Sequence, residues 1–305
     1  IGKSALEANT TASYNVAVGV DSQVATTTGA SNVSVGYFSL DANTTGASNT
    51  ALGHNALSAS TTVSNNTAVG KDALAANTSG DENTAVGSGA ADANTTANGI
   101  TAIGFNALGA NTTGIHNTSV GWGANRLGTT GAHNTALGDA CMYQSNTTGD
   151  YNTGVGREAF HYLATGHSDV AVGYQAGFDL THGDENTLIG KGAGANLTTA
   201  HGNTAVGTDT MAAMTTQGYN VAVGYNAMLV ATSAVGCTAV GNQALDANTT
   251  GDYNTAVGSG ALGANSTGND SAAFGYSALV AQTTGSSNTA LGAGALNSLT
   301  TASNC

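Results

Sequence analysis

Histidines are the residues of this sequence that are best suited to metal chemistry. His116 and His133 are 17 residues apart, and Tyr151 follows after 18 more. In a chain that repeats with this spacing, the three rings would stack in one row. A transition-metal site is the alternative interpretation, but two imidazoles lack the further ligands of a good zinc site. We therefore interpret the row as stacked surface side chains and predict no metal site. The remaining histidines with a repeating placement fall in turns of three consecutive repeat units: His167, His182 and His201.

The three cysteines do not predict a disulfide framework. Cys237 and Cys305 occupy equivalent positions four repeat units apart. At the spacing of stacked strands they would be about 19 Å apart, too far for a disulfide bond. Cys141 occupies a different position of the repeat, so no pair is expected.

The charged residues do not form a catalytic constellation. Acidic residues fall mostly in variable turns, as in Asp81–Glu82 and Asp184–Glu185, where they are typical of solubilising surface charge. The scattered lysines do not complete a phosphate-binding G-x-x-x-x-G-K-[ST] loop. Without convergent titratable groups in a concave site, the sequence predicts neither an enzyme nor a cofactor.

Composition narrows the range of partners. The 305 residues carry 5 Lys+Arg against 18 Asp+Glu, a net charge of −13, and they include 44 glycines and no proline. So few cations cannot neutralise a run of phosphates, which argues against nucleic acid and anionic membrane surfaces as partners. No stretch reaches the roughly 18 consecutive apolar residues of a membrane span, so no membrane insertion is expected.

A repeat of 17 residues runs through the whole sequence. Its consensus is T-A-V-G-x-x-A-L-x-A-N-T-T-G-x-x-N, and we number its positions as columns 1 to 17. One partial unit of 15 residues, sixteen units of 17 and one unit of 18 (Thr135 to Asn152) account for every residue. A fixed period of this kind decides the architecture. It predicts one continuous repeat domain over 1–305, with an irregular section at about 122–237.

The columns predict an all-β parallel solenoid of about eighteen coils. Column 4 is glycine in every unit, which marks a backbone angle or a close approach that a Cβ atom would block. Recurring glycine, β-branched residues and the N-T-T-G segment disfavour helix, whereas T-A-V fits a short strand, A-L a second one, and N-T-T-G a turn. The asparagine and threonine columns would form hydrogen-bonded ladders. Structural glycines of column 4 include Gly19, Gly36, Gly53, Gly70, Gly87, Gly104, Gly207 and Gly241.

The apolar columns raise the question of what covers them. Column 3 is apolar in every unit and column 8 is mostly Leu or Met, while columns 2 and 7 are small. Column 3 by itself predicts a buried ladder. Neighbouring strand residues point to opposite sides, so the small columns should face one way and columns 3 and 8 the other. We favour a thin roll lined by the alanines, in which columns 3 and 8 form an outer stripe that needs a partner. The alternative is a wider core filled by Val and Leu.

The segment N-T-A-V-G-x-x-A, as in 66–73 and 254–261, resembles the repeat of trimeric autotransporter adhesin heads and related bacteriophage tail-fibre repeats. The resemblance covers essentially every unit. It implies left-handed β-rolls, three chains about a threefold axis, and an extracellular, cell-surface or virion location. Between columns 7 and 14 this chain has six residues where the head repeat has about three, so we expect a wider roll.

Three functions compete at this stage. The leading one is a non-catalytic rod of an extracellular or virion fibre, used for adhesion or host recognition, with a host-surface glycan or protein as possible partner. The second is a filament subunit that assembles end to end, because a further copy would continue the repeat. The third is ice binding by rows of threonine at columns 12 and 13. This function is disfavoured because adjacent residues of a strand point to opposite sides, so only one of the two rows can face outward.

If any part of this chain recognises a partner, we expect it where the repeat is least regular, although drift of an unconstrained surface explains the irregularity at least as well. Aromatic residues and arginine anchor many recognition surfaces, and they concentrate between Trp122 and Cys237, as does the extra residue after Cys141. The candidate recognition residues are Trp122, Arg126, Tyr143, Arg157, Phe160, Tyr162 and Phe178.

Overall fold

The repeat folds into stacked coils of a parallel β-solenoid. The computed structural model describes residues 1–144 and 146–305, which form two compact units, Ile1–Tyr151 and Asn152–Cys305. These residues contain 17 parallel strands in about 16 turns and no helix. The predicted all-β parallel solenoid is therefore confirmed. Handedness, a trimeric state and one continuous domain stay predictions.

Each strand is three residues long and occupies columns 1 to 3 of its 17-residue repeat. We call the compact unit Ile1–Tyr151 the first unit and Asn152–Cys305 the second unit. The strands of the first unit are β1 (Val16–Val18), β2 (Val33–Val35), β3 (Thr50–Leu52), β4 (Thr67–Val69), β5 (Thr84–Val86), β6 (Thr101–Ile103), β7 (Thr118–Val120) and β8 (Thr135–Leu137). Those of the second unit are β9 (Thr153–Val155), β10 (Val170–Val172), β11 (Thr187–Ile189), β12 (Thr204–Val206), β13 (Val221–Val223), β14 (Thr238–Val240), β15 (Thr255–Val257), β16 (Ala272–Phe274) and β17 (Thr289–Leu291).

Consecutive strands within each unit pair in register, column on column. Thr67 of β4 lies opposite Thr84 of β5, and Val69 lies opposite Val86. In the second unit, Thr238 pairs with Thr255 in the same way. Because the register shifts by one whole repeat from strand to strand, each column becomes a row of like residues at the strand spacing of about 4.8 Å.

The interior is lined by columns 2, 7 and 8. Ala68, Ala73 and Leu74, at these three columns of one unit, are all fully buried. Column 3 points outward instead, and Val35 remains 41% exposed. The sequence-based prediction that column 8 faces the same side as column 3 is therefore wrong. The prediction that column 3 forms a ladder buried within the chain is wrong as well. The alternative with alanines on the surface is also wrong, because columns 2 and 7 line the core.

Backbone geometry explains why columns 7 and 8 both point inward. The second strand expected around them does not form; the segment is a series of turns. Asp72 at column 6 has φ +59° and Leu74 at column 8 has φ +52°. Two left-handed residues separated by one ordinary residue break the alternation that holds in a strand. A leucine disfavours this conformation by roughly 1–2 kcal/mol, a cost that burial of its side chain offsets.

Asparagine ladders, as predicted, connect the coils. The Asn49 backbone N–H donates to Oδ1 of Asn32 at 2.9 Å, and Oδ1 of Asn49 accepts from the Asn66 N–H at 3.0 Å. The Nδ2 group of Asn49 donates to the carbonyl oxygen of Val63 at 2.8 Å. Each buried amide at column 17 thus satisfies backbone groups of the adjacent coils, which would otherwise be costly to bury.

Column 4 glycines occupy a conformation that other residues rarely adopt. Gly207 has φ +137°, and a Cβ atom there would overlap the carbonyl oxygen of Gly224 in the next coil. Gly241 has φ +140° and meets Gly258 in the same way. Backbone conformation and the close stacking of coils therefore both require glycine at these positions.

Candidate recognition site

Two surfaces of the solenoid could bind a partner. The first is the outer sheet face, which we define as the side chains of columns 1 and 3 on the strands of each unit. Column 1 is mostly threonine and column 3 is apolar throughout. Most side chains of this apolar row are partly exposed, and Val35, Ile103 and Phe274 reach about two fifths, so the chain itself does not bury the row completely.

The second surface is an aromatic cluster in the first unit, formed by Phe105, Trp122, Arg126 and Tyr143. Phe105 and Trp122 occupy column 5 of consecutive coils; their ring centroids are 6.5 Å apart and each residue is 49% exposed. The Trp122 and Tyr143 rings lie 5.2 Å apart. Nη1 of Arg126 donates to the Tyr143 hydroxyl at 2.7 Å, and the guanidinium carbon lies 5.4 Å from the Tyr143 ring centroid.

Glycines make room for this cluster. At Gly123 a Cβ atom would come within 2.6 Å of the Tyr143 ring, so glycine at this position allows the ring to lie close to the backbone. Gly109 occupies column 9 between Asp92 and Arg126, and its missing side chain leaves a notch in that row. The consequence is a groove in the surface rather than a continuous ridge.

Two grooves of about 350 and 290 Å³ adjoin at this point. Asn106 and Arg126 line both of them. Asp92, Gly109 and Leu127 contribute to the larger groove, and Phe105 and Trp122 to the smaller one. The grooves therefore combine aromatic surface with an amide, a carboxylate and a guanidinium.

The two charges of the grooves differ in their surroundings. Partial burial raises the pKa of the Asp92 carboxyl, while hydrogen bonds from its own N–H and that of Ala93 oppose the shift. The Arg126 guanidinium is hydrogen-bonded to a phenol, which does not neutralise its charge. An acceptor and a donor of opposite charge thus line one groove.

The remaining candidate residues separate into surface and core. In the second unit, the Tyr162 and Phe178 rings meet edge to face at 5.4 Å. Arg157 forms an ion pair with Glu158 at 2.7 Å and lies 5.8 Å from the Tyr174 ring centroid.

The prediction that Phe160 belongs to the recognition residues is wrong. It occupies column 8, where the chain turns inward, and it is fully buried. Its ring packs in the core and is not available to a partner.

The extra residue of the long unit is accommodated beyond Tyr143. Arg126 and Tyr143 still pair at a separation of 17 residues, whereas the Ala132 N–H donates to Asp150 Oδ1 at a separation of 18. The register therefore shifts between Tyr143 and Asp150, several residues after Cys141. Ser145, within this stretch, lies outside the described residues.

The histidines stack as expected. Ring centroids are 5.2 Å apart for His116 and His133, and 5.1 Å apart for His133 and Tyr151. His201 lies 3.4 Å from the Asp184 carboxylate. Across 1–144 and 146–305, no group of three or more His, Cys, Asp or Glu residues is placed to hold a metal ion.

The cysteines are free thiols. Burial raises the pKa of Cys141 to about 12 and that of Cys237 to about 11, so both thiols are protonated and unreactive at neutral pH. Cys305 is exposed.

Of the residues that line the grooves, Trp122 and Arg126 were predicted from the sequence and the others were not. Phe105 lies one repeat before Trp122 in the same column, a spacing that could have joined the two. Asp92 and Gly109 share column 9 with Arg126, so the notch could also have been inferred from the column. No sequence pattern indicated that Asn106 lines a groove, because the residue type at column 6 varies from repeat to repeat.

Comparison with known proteins does not identify a family for this chain. No protein-family model matches it, and no curated protein is similar enough to match. Within the part of the chain that the structure describes, no helix is long and apolar enough to cross a membrane. The outer sheet face and the aromatic cluster are therefore the features of the chain that bear on its function.

Proposed function

We propose that the chain is a non-catalytic structural repeat of an extracellular or virion fibre, which associates side by side with copies of itself through the outer sheet face. The observation that carries this proposal is column 3, which is apolar in every strand and yet stays partly exposed. In the first unit, eight strands at about 4.8 Å make this row roughly 35 Å long. Continuous apolar surface of this kind is typical of association sites.

A trimer and use of the fibre in adhesion are the finer parts of the proposal. The resemblance of the N-T-A-V-G-x-x-A segment to trimeric adhesin and tail-fibre repeats supports both. The uncharged character of columns 1 and 3 supports self-association as well, since copies that each carry a net charge of −13 can approach most easily along faces without acids.

The test is a triple substitution on the outer sheet face. In Val69→Lys/Val86→Lys/Val120→Lys, we expect sedimentation velocity to show monomers where the parent forms oligomers, because three desolvated charges disfavour association. The matched control is Thr45→Lys/Ser79→Lys/Thr113→Lys, which adds the same charge at exposed column 13. A parent that sediments as a monomer at all concentrations would refute the proposal.

Ice binding is the second candidate, supported by the alternating threonine and valine rows of the same face. Columns 12 and 13 are less suited to this role than the sequence indicated. At column 12 the Thr44 hydroxyl donates to the Thr61 carbonyl oxygen at 3.0 Å and so bonds along the ladder. Thermal hysteresis that the Val→Lys triple variant loses, in a parent that remains monomeric, would favour ice binding over self-association.

A further inference from the structure

We propose that the two adjoining grooves of the first unit form a binding site for a neutral pyranose residue of a glycan, with the exposed edges of Phe105 and Trp122 as its apolar contacts and Asp92, Asn106 and Arg126 as its polar contacts. The inference deepens the adhesive part of the proposed function by naming a site and a ligand class. It does not depend on self-association, because the site lies at columns 5, 6, 9 and 10, away from the outer sheet face.

The size of the grooves fits a small ligand. Their volumes of about 350 and 290 Å³ lie at the lower end of the range for small-molecule sites. The notch exists because Gly109 has no side chain between two residues of column 9 that do. A compact ring can therefore sit between Asp92 and Arg126 while its edge reaches the aromatic rings.

The chemistry of the lining matches a sugar. A pyranose has an apolar C–H face and a rim of hydroxyl groups, each a donor and an acceptor. Half-exposed Trp122 and Phe105 offer the apolar surface, and aromatic rings bury much area at little cost in side-chain entropy. Asp92 accepts, Arg126 donates and the Asn106 amide does both, so neighbouring hydroxyls of either polarity can be satisfied.

Charge selects a neutral sugar. One carboxylate and one guanidinium leave the grooves without net charge, and the chain around them is acidic. An anionic sugar would gain Arg126 but meet Asp92 and a net charge of −13, which favours an uncharged ligand.

The second unit supplies a matched control. Asp246 and Gly263 repeat the pair Asp92 and Gly109 at column 9, and in both pairs an added Cβ atom would lie 3.4 to 3.5 Å from the aspartate Oδ1. The next column 9 residue there is Val280 rather than an arginine, and the column 5 residues beside it are Ser259 and Tyr276. The local backbone is thus shared and the polar and aromatic lining is not.

Gly109→Leu tests the site without removing any of its contacts. A Cβ atom at Gly109 would lie 3.4 Å from the Asn106 carbonyl oxygen, an ordinary contact, and column 9 carries leucine at Leu229. The longer side chain would then extend into the groove. Gly263→Leu is the control, and sedimentation of both variants should match the parent.

Trp122 is the only tryptophan of the chain, so its fluorescence reports on this site alone. We expect at least one of methyl α-D-glucopyranoside, methyl α-D-mannopyranoside, methyl β-D-galactopyranoside and N-acetylglucosamine to change the emission, with a dissociation constant on the order of 1 mM for so shallow a site. Gly109→Leu should weaken binding about tenfold or more, and Gly263→Leu less than about twofold.

Trp122→Ala, followed by saturation-transfer NMR, should also lose binding, whereas Tyr225→Ala at column 5 of the second unit should retain it. The inference is overturned if none of these pyranosides binds the parent, if Gly109→Leu binds as well as the parent, or if only N-acetylneuraminic acid or an aromatic peptide binds.

Discussion

Asp169 shows how a single atom perturbs the asparagine ladder. It occupies column 17, and its Oδ1 accepts from the Asn186 backbone N–H at 2.8 Å and from Asn186 Nδ2 at 2.9 Å. Oδ2 is buried without a hydrogen-bond partner. In the adjacent coils, Nδ2 of Asn152 and Asn186 donates to a column 14 carbonyl oxygen. A carboxylate oxygen cannot make this donation, and burial raises the pKa of Asp169 to about 7.

Asp169→Asn should therefore stabilise the protein at neutral and alkaline pH. The unfolded chain loses this proton near pH 4 and the folded chain near pH 7, so the stability of the parent falls as pH rises through that window. We expect a gain of about 2–4 kcal/mol at pH 8 and little change below pH 4, measured by urea denaturation. Glu7→Gln, an exposed substitution outside the surroundings of Asp169, is the control and should change the free energy of unfolding by less than about 0.5 kcal/mol at either pH. An equal effect of Asp169→Asn at both pH values would contradict the assignment.

At the scale of the element, one unusually large core residue is accommodated by unusually small residues beside it. Leu188 of β11 is the one large residue at column 2, and it is fully buried. Gly177 and Gly194 stand at column 8 of the preceding coil and of the same coil, where most repeats have leucine or methionine. A Cβ atom at either glycine would come within 2.9 Å of a Leu188 methyl group. Large and small residues have thus exchanged columns while the interior remains filled.

A double-mutant cycle on Leu188→Ala and Gly194→Ala tests this exchange. Leu188→Ala alone should cost about 2–5 kcal/mol through the cavity it leaves, and Gly194→Ala alone about 1–3 kcal/mol through crowding. The double variant should be more stable than the sum predicts, by about 0.5–3 kcal/mol, because the added methyl no longer meets Leu188.

The control for this cycle is Gly260→Ala. Gly260 has φ +67° against +58° at Gly194, but a Cβ atom there would meet only Ser277 Oγ at 3.7 Å. Its effect should add to that of Leu188→Ala. Additivity in the Gly194 cycle as well would show that the column 8 glycines do not compensate for Leu188.

At the scale of the whole molecule, apolar association competes with charge repulsion. Each copy carries a net charge of −13, whereas columns 1 and 3 carry no charge on any strand. Association through this face buries apolar surface and brings like charges together, so salt should screen only the opposing contribution.

Self-association should therefore strengthen with ionic strength. Between about 20 and 500 mM NaCl, we expect the dissociation constant from sedimentation equilibrium to fall several-fold, since the Debye length shortens well below the size of the protein. The Val→Lys triple variant should remain monomeric at both concentrations. Weaker association at high salt would indicate an interface built on ion pairs and would argue against the outer sheet face.

Much of the architecture could be predicted from the sequence because every coil repeats the same pattern of residue types. The 17-residue period, the T-A-V strands, the column 4 glycines and the stacked row of His116, His133 and Tyr151 all follow from one repeat read down its columns. Part of the candidate site was also visible, because Trp122, Arg126 and Tyr143 depart from the consensus in residue type.

Only the tertiary structure decided which way the side chains of columns 6 to 8 point and which residues of neighbouring coils they contact. Left-handed backbone at columns 6 and 8 turns Leu74 and Phe160 inward, against the alternation of a strand. The exchange between Leu188 and the column 8 glycines joins residues that the sequence separates. The groove at Gly109 likewise depends on side chains from several coils. Local patterns specify each coil, whereas cavities and compensating contacts arise between coils, where residues 17 or more positions apart compete for the same space.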